Sequence, residues 1–236
     1  VVGGGAAAPT SIVLGQNNQR HADLILGNSL VLTLLFGFCY IAAFSIFLEP
    51  ILRLFGASDV TLPYAYEFMI YIMPGLLLTN ITYSFNNIMR SSGYPTRAMI
   101  TMFIGAGCNV VLAPIFIFVL EMGIKGAAIA TDISMAISAF FVMAHFMNKN
   151  HLVHFKKGIF KLNKNIIVSI VSIGSAPAII NVTGCAVNAI VNNSLVRFGG
   201  DNAVAAMGIF TTVCQIVIMI VIGLCQGMQP IVGFNF

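Results

Sequence analysis

The sequence predicts an all-α fold, a polytopic membrane helix bundle. Three observations carry that expectation. The chain is 58% hydrophobic and 8% charged, with mean hydropathy +0.96, whereas soluble domains are about 25% charged. Its apolar runs outlast the ~20 residues a helix needs to cross a bilayer. Those runs also lack the polar–apolar alternation of strands in a membrane barrel.

The elements follow in order. Val1–Leu14 reads as the tail of one span. Leu24–Leu48 carries no charge, and Thr61–Met89 carries only Glu67. Ala98–Leu120 is again charge-free, while Gly126–Met147 holds Asp132 and, near its end, His145. Asn165–Val196 and Asn202–Phe236 are charge-free and close the chain. Six full crossings therefore follow a partial one. The first residue is not Met and both ends fall in apolar stretches, which predicts an internal fragment of a longer protein.

Loops between successive spans must alternate sides. One side collects Arg20, Arg90, Arg97, Lys149, Lys156, Lys157, Lys161 and Lys164; the other collects Arg53, Lys125 and Arg197. The positive-inside rule places the richer set in the cytoplasm. The net charge of +4 then reflects topology and a lipid partner, not a nucleic acid. In the longest loop, Asn148–Asn165, Leu152, Phe155, Ile159 and Leu162 share one helical face. That spacing predicts a short interfacial helix on an anionic leaflet, or a linker between two lobes.

Repetition is faint. GGGAAAPTSIVLG at the start is echoed by GLCQGMQPIVGFNF at the end, with small residues ahead of Pro9 and Pro230. Such an echo suggests matching points in two similar halves.

No nucleophile elbow, zinc motif or phosphate loop occurs, so an enzyme is disfavoured and no catalytic residue is assigned. Cys39, Cys108, Cys185, Cys214 and Cys225 stand singly, which speaks against metal and predicts buried small hydrophobes. His21, His145, His151 and His154 lie in or near the basic loops, where interfacial solvation is expected. What remains is polarity inside helices. Asn109 lies near the middle of its span. Asn80, Asn86, Asn87, Asn181, Asn188, Gln215, Gln226 and Gln229 are embedded too, where amides commonly join helices. Asp132 is the costliest of these groups and reads as a protonatable or cation-binding side chain, or as one that reaches water near a helix start. Glu67 fits a first-turn acid. Pro74, Pro114 and Pro177 each remove a helical hydrogen bond and are candidate kinks.

Several stretches together resemble the multidrug and toxic compound extrusion (MATE) transporters: NNIMRSSGYPTRAM (Asn86–Met99), NVVLAPIFIF (Asn109–Phe118), MGIKGAAIATDIS (Met122–Ser134), IGSAP (Ile173–Pro177), the run Asn192–Ile209, and QGMQPIVGFNF (Gln226–Phe236). The order and spacing match across essentially the whole chain. The resemblance implies a twelve-helix, two-lobe fold of which this chain supplies part of the second helix through the eighth. Residues 1–147 would be the rest of the N-terminal lobe, 148–165 the cytoplasmic lobe linker, and 166–236 the start of the C-terminal lobe. It implies export of lipophilic, often cationic, drugs across a bacterial inner membrane, coupled to H⁺ or Na⁺, with no cofactor and no metal. The remaining helices of the full chain would be partners.

Family members with an ion site in the first lobe pair an Asn with an Asp four residues on, and add a Thr on the next helix. Asn109 matches the Asn and Thr131 the Thr, but the Asp position is Ala113. Asp132, about 100° further round its helix from Thr131, is the candidate replacement. Asn80, Asn87, Asn181 and Asn188 are candidates for the substrate cavity. Two alternatives stay open. One is a lipid-linked oligosaccharide flippase of the same superfamily, although no Lys or Arg lies deep in a span. The other is a membrane-embedded enzyme or a channel.

Overall fold

The computed structural model describes residues 1–55, 62–156 and 158–235, and within these not the side chains of 192, 193 and 196–205. The predicted start of one span at Thr61, the loop residue Lys157, the last residue Phe236 and the side chain of Arg197 lie outside that description. The chain is α1 (Val2–Gly15), α2 (Gln19–Leu54), α3 (Leu62–Ser91), α4 (Pro95–Pro114), a π-helical segment (Ile115–Val119), α5 (Gly123–Met147) and α6 (Lys164–Asn235). Among the described residues six segments are long and apolar enough to cross a membrane, as the apolar runs predict. α6 contains two of them, Lys164–Val191 and Ala206–Asn235.

Local chemistry sets the boundaries. Between α1 and α2, Asn17 adopts φ 58°, a left-handed turn that asparagine tolerates. Asn18 then caps α2 by accepting from the His21 N–H at 3.2 Å, satisfying one orphan donor of the first turn. α3 stops at a turn with Gly93 at φ 90°, and Pro95 opens α4, where its missing N–H costs nothing. α2 is 36 residues long, about 54 Å of helix, well beyond a ~30 Å hydrocarbon core. It bends at Phe47, whose φ −110° and ψ 22° leave the helical region. The cause is Pro50, which has no N–H for the Ile46 carbonyl. Pro50 was not among the predicted kinks. Of those that were, Pro114 ends the regular winding of α4 and is followed by the π segment, while Pro74 and Pro177 lie inside α3 and α6.

The glycines and small residues of α1 let it pack directly on α6. A Cβ on Gly5 would collide with the Ile170 carbonyl, and one on Gly174 with the Val1 carbonyl. At the other end of α1, Gly15 lies against Phe234 and Gly233 against Ser11. Both spans of α6 thus touch one 14-residue helix, the first running antiparallel to it and the second parallel. The chain therefore doubles back between those spans.

The core lies at the end where the basic residues cluster. Ile25, Leu26, Phe85, Ile88, Met89, Val142, Phe146 and Ile170 are all buried there, at the start of α2, the ends of α3 and α5 and the start of α6. Elsewhere large apolar side chains such as Phe38, Ile46, Phe103, Phe118 and Phe140 are exposed. In water a surface this apolar would associate or aggregate; a hydrocarbon solvent removes that cost.

Three sequence expectations are corrected. The described residues of the longest loop, 148–156 and 158–163, form no helix. They are a strap across the basic end: Val153 and Ile159 are buried, Leu152 and Leu162 are exposed, and Phe155 meets Phe85 and Phe146 at ring distances of 6.1 Å. Side chains of α2 take the backbone groups that an interfacial helix would have used. Asp23 Oδ1 accepts from the His154 N–H at 3.2 Å, and Asn28 Oδ1 from the Asn163 N–H at 2.9 Å. Second, the histidines are not uniformly solvated. His145 and His151 are buried and stacked at 3.9 Å. His151 Nδ1 donates to the His145 carbonyl at 2.7 Å, so its Nε2 accepts from Arg97 Nη1 at 2.7 Å, which fixes the neutral tautomer. Third, the cysteines are not buried: Cys39, Cys185 and Cys225 are exposed, and Cys108 and Cys214 are intermediate. An apolar solvent makes an outward-facing thiol as acceptable as a buried one.

Candidate functional site

Asn109 on α4 and Thr131 on α5 meet. Asn109 Nδ2 donates to Thr131 Oγ1 at 3.1 Å, and the Thr131 hydroxyl donates to its own helix at the Ala127 carbonyl, 2.9 Å away. The hydroxyl thus both accepts and donates, which fixes its rotamer. Ala113, one turn beyond Asn109, adds no charge to this pair.

Asp132 does not join them. The neighbouring position on α5 turns its carboxyl toward α3, against Gly75. Its Oδ1 is buried and has no hydrogen-bond partner. Only glycine fits opposite, because a Cβ on residue 75 would overlap that carboxyl and lie 3.2 Å from the Asp132 Cα. Pro74 precedes this glycine, so the notch sits where α3 already lacks one backbone hydrogen bond. A carboxyl oxygen without a partner inside a span is a costly arrangement. Among the described residues no group of three or more His, Cys, Asp or Glu side chains is placed to hold a metal ion.

A cavity of about 480 Å³ opens between the start of α1 and the middles of α2 and α3. Its walls include Thr33, Phe36, Tyr40, Thr79, Asn80 and Tyr83, and no charged side chain lines it. Asn80 is the one predicted cavity residue on this wall; its Nδ2 donates to the Leu76 carbonyl at 2.8 Å. Asn87 lines a smaller cleft with Arg90, Gln226 and Gln229. Asn181 and Asn188 are exposed on α6, and Asn181 is tied to the Pro177 carbonyl at 2.8 Å. Sequence reasoning passed over Phe36, Tyr40 and Tyr83, which read as ordinary apolar-span aromatics. A polar tip on an otherwise apolar stretch was the available signal. Glu67 pairs with Lys125 at 2.8 Å and Lys125 also lies over the Tyr71 ring, joining α3 to α5 at the opposite end from the strap.

The family model MatE matches residues 2–115, from α1 through the first residue of the π segment. The likeness continues past that segment. The multidrug export protein MepA of Staphylococcus haemolyticus (strain JCSC1435) is 29% identical over 235 residues, covering 100% of this chain and 51% of that protein. Two solved structures, the inward-facing and the outward-facing conformation of a multidrug resistance MATE family transporter of the MOP superfamily, are each 26% identical with a TM-score of 0.82. Each covers 99% of this chain, matching 51% and 50% of the respective structure. The chain thus spans about half the length of the MATE relatives it matches.

Proposed function

We propose that this chain works as part of a multidrug efflux transporter, a secondary active antiporter that exports lipophilic or cationic compounds in exchange for H⁺ or Na⁺. The observation that carries the reading is the MATE-type fold over 99% of the chain, together with relatives named as multidrug export proteins. The uncharged aromatic cavity suits the substrates, since tyrosine and phenylalanine faces attract organic cations without a fixed counter-charge. In this reading the Lys-rich strap is cytoplasmic and links a lobe formed by residues 1–147 to the start of a second at 166–236. Asn109 and Thr131 form one polar site, and Asp132 a separate proton or cation acceptor one helix face away.

The test is efflux of ethidium from cells producing the full-length protein, with Asp132→Asn and Asn109→Ala variants beside it. Wild type should extrude the dye, and a protonophore or sodium withdrawal should abolish extrusion. Asp132→Asn should lower the rate at least tenfold, and Asn109→Ala more mildly. Unchanged efflux in both variants removes the site assignment. Absence of gradient-driven efflux in the wild type removes the antiporter itself.

A further inference from the structure

Polar contact between α3 and the second span of α6 centres on one guanidinium. Arg90, in the last turn of α3, is partly buried. Its Nε donates to Asn86 Oδ1 at 3.1 Å, and its Nη1 donates to Gln226 Oε1 on α6. Asn86 is itself buried. Its Nδ2 donates to the Ala98 carbonyl at 2.7 Å and to Thr101 Oγ1 at 2.9 Å, both on α4. The two N–H groups and the oxygen of that amide are all used. A line of hydrogen bonds therefore runs from α4 through α3 to α6.

The second span of α6 is held mainly at that end. Its partly buried residues there are Gln226, Gln229, Pro230 and Gly233. Their spacing of i, i+3, i+4 and i+7 marks one helix face. That face meets α1 through Gly233 and α3 through Gln226. Between 206 and 225 only Met207 and Cys214 are other than exposed. The aromatic cavity lies toward the start of α1, away from this contact.

The chemistry of the contact is also particular. Among the described residues no carboxylate pairs with Arg90, and its acceptor on α6 is a neutral amide. A desolvated ion pair is hard to separate once formed, whereas one charge-assisted hydrogen bond to an amide holds and still releases. Its inner half, Asn86, is anchored on both sides and stays with α3 and α4 when the outer half lets go.

We propose that Arg90 and Gln226 form a releasable clasp that closes the basic end of the molecule against α6, with Asn86 as the positioning residue that aims the guanidinium. The clasp rests on the transport reading above and adds to it the step that separates a closed basic end from an open one.

The test uses the full-length protein in lipid nanodiscs, with native cysteines replaced and spin labels at Thr96→Cys and Asn235→Cys, two exposed positions at the basic end. Pulsed electron resonance reads the distance between them. Wild type should show mainly the short distance. Arg90→Ala and Gln226→Ala should each move the open-to-closed ratio by about 10- to 100-fold, the worth of a charge-assisted hydrogen bond. Gln226→Glu should stay closed and slow efflux, because it turns the amide into an ion-pair partner. The exchange Arg90→Gln with Gln226→Arg should restore the short distance. If Arg90→Ala does not fold, Gln226→Ala, at the more exposed side of the contact, carries the test. An unchanged distance in the alanine variants overturns the clasp, as does an exchanged pair that stays open. Opening without any wild-type efflux removes the transport reading and leaves the clasp; efflux without opening does the reverse.

Discussion

Lys156→Ala should destabilise this protein more than Asp23→Ala, although both break the same ion pair. The reason is the asymmetry of the pair. Lys156 Nζ lies 2.5 Å from Asp23 Oδ2, but the lysine side chain is 46% exposed and the aspartate 2%. Removing Asp23 returns the ammonium to water at little cost and strips one acceptor from the His154 N–H, a loss of about 1–3 kcal/mol. Removing Lys156 leaves a carboxylate enclosed with a single backbone donor, and an uncompensated buried charge costs about 3–5 kcal/mol. The double variant has neither the orphaned charge nor the pair, so it should be more stable than Lys156→Ala alone. The assay is thermal unfolding in lipid nanodiscs, followed by protease cleavage within the strap. Asp23→Ala at least as damaging as Lys156→Ala, or a double variant equal to the sum of the singles, refutes the reasoning.

Two further outcomes follow from close approaches and ring faces. Gly75→Ala should cost about 1–3 kcal/mol through overpacking against Asp132, and Asp132→Ala in the same chain should recover part of that loss, read as melting temperature. Tyr40→Ala should weaken binding of tetraphenylphosphonium by roughly 0.5–2 kcal/mol if the ring offers a cation–π face to the cavity; equilibrium binding to the purified full-length protein checks this.

Much of the fold was legible because hydrophobic span length is a one-dimensional property. Ala98–Leu120 anticipates α4 and its π extension, and Gly126–Met147 anticipates α5, with errors of a few residues where helices continue into polar ends. The strap was not legible. Leu152, Phe155, Ile159 and Leu162 have helical spacing, yet spacing decides structure only when nothing else claims the backbone donors. Here Asp23 and Asn28, more than a hundred residues away in sequence, claim two of them, and Gly158 takes φ 93°. The Asn109–Thr131 contact came from resemblance, and the 100° step to Asp132 correctly separates that residue from the pair. What faces Asp132 is Gly75, and what faces Arg90 is Gln226. Neither partner has a local signature, because the sequence carries no record of which helix lies beside which.

Most buried polar groups in the bundle have partners, and a few stand apart. At the basic end Asp23, Asn28, Asn86, Arg90 and His151 all have partners. Elsewhere Asn109, Thr131 and Ser134 are also satisfied, whereas the buried oxygens of Ser29, Thr33, Thr82 and Asp132 have no partner among the described residues. His145, stacked on His151 but with both ring nitrogens unpartnered, is an exception at the basic end. A buried hydroxyl without a partner costs about 1–3 kcal/mol, so the three hydroxyls of Ser29, Thr33 and Thr82 are together a destabilising set. Thr33 lies on the wall of the aromatic cavity, and Asp132 beside the Pro74–Gly75 notch. If the chain works as part of an efflux transporter, the Thr33 and Asp132 oxygens are where an ion, water or substrate would bind in turn, and the Arg90–Gln226 contact is where the basic end would open.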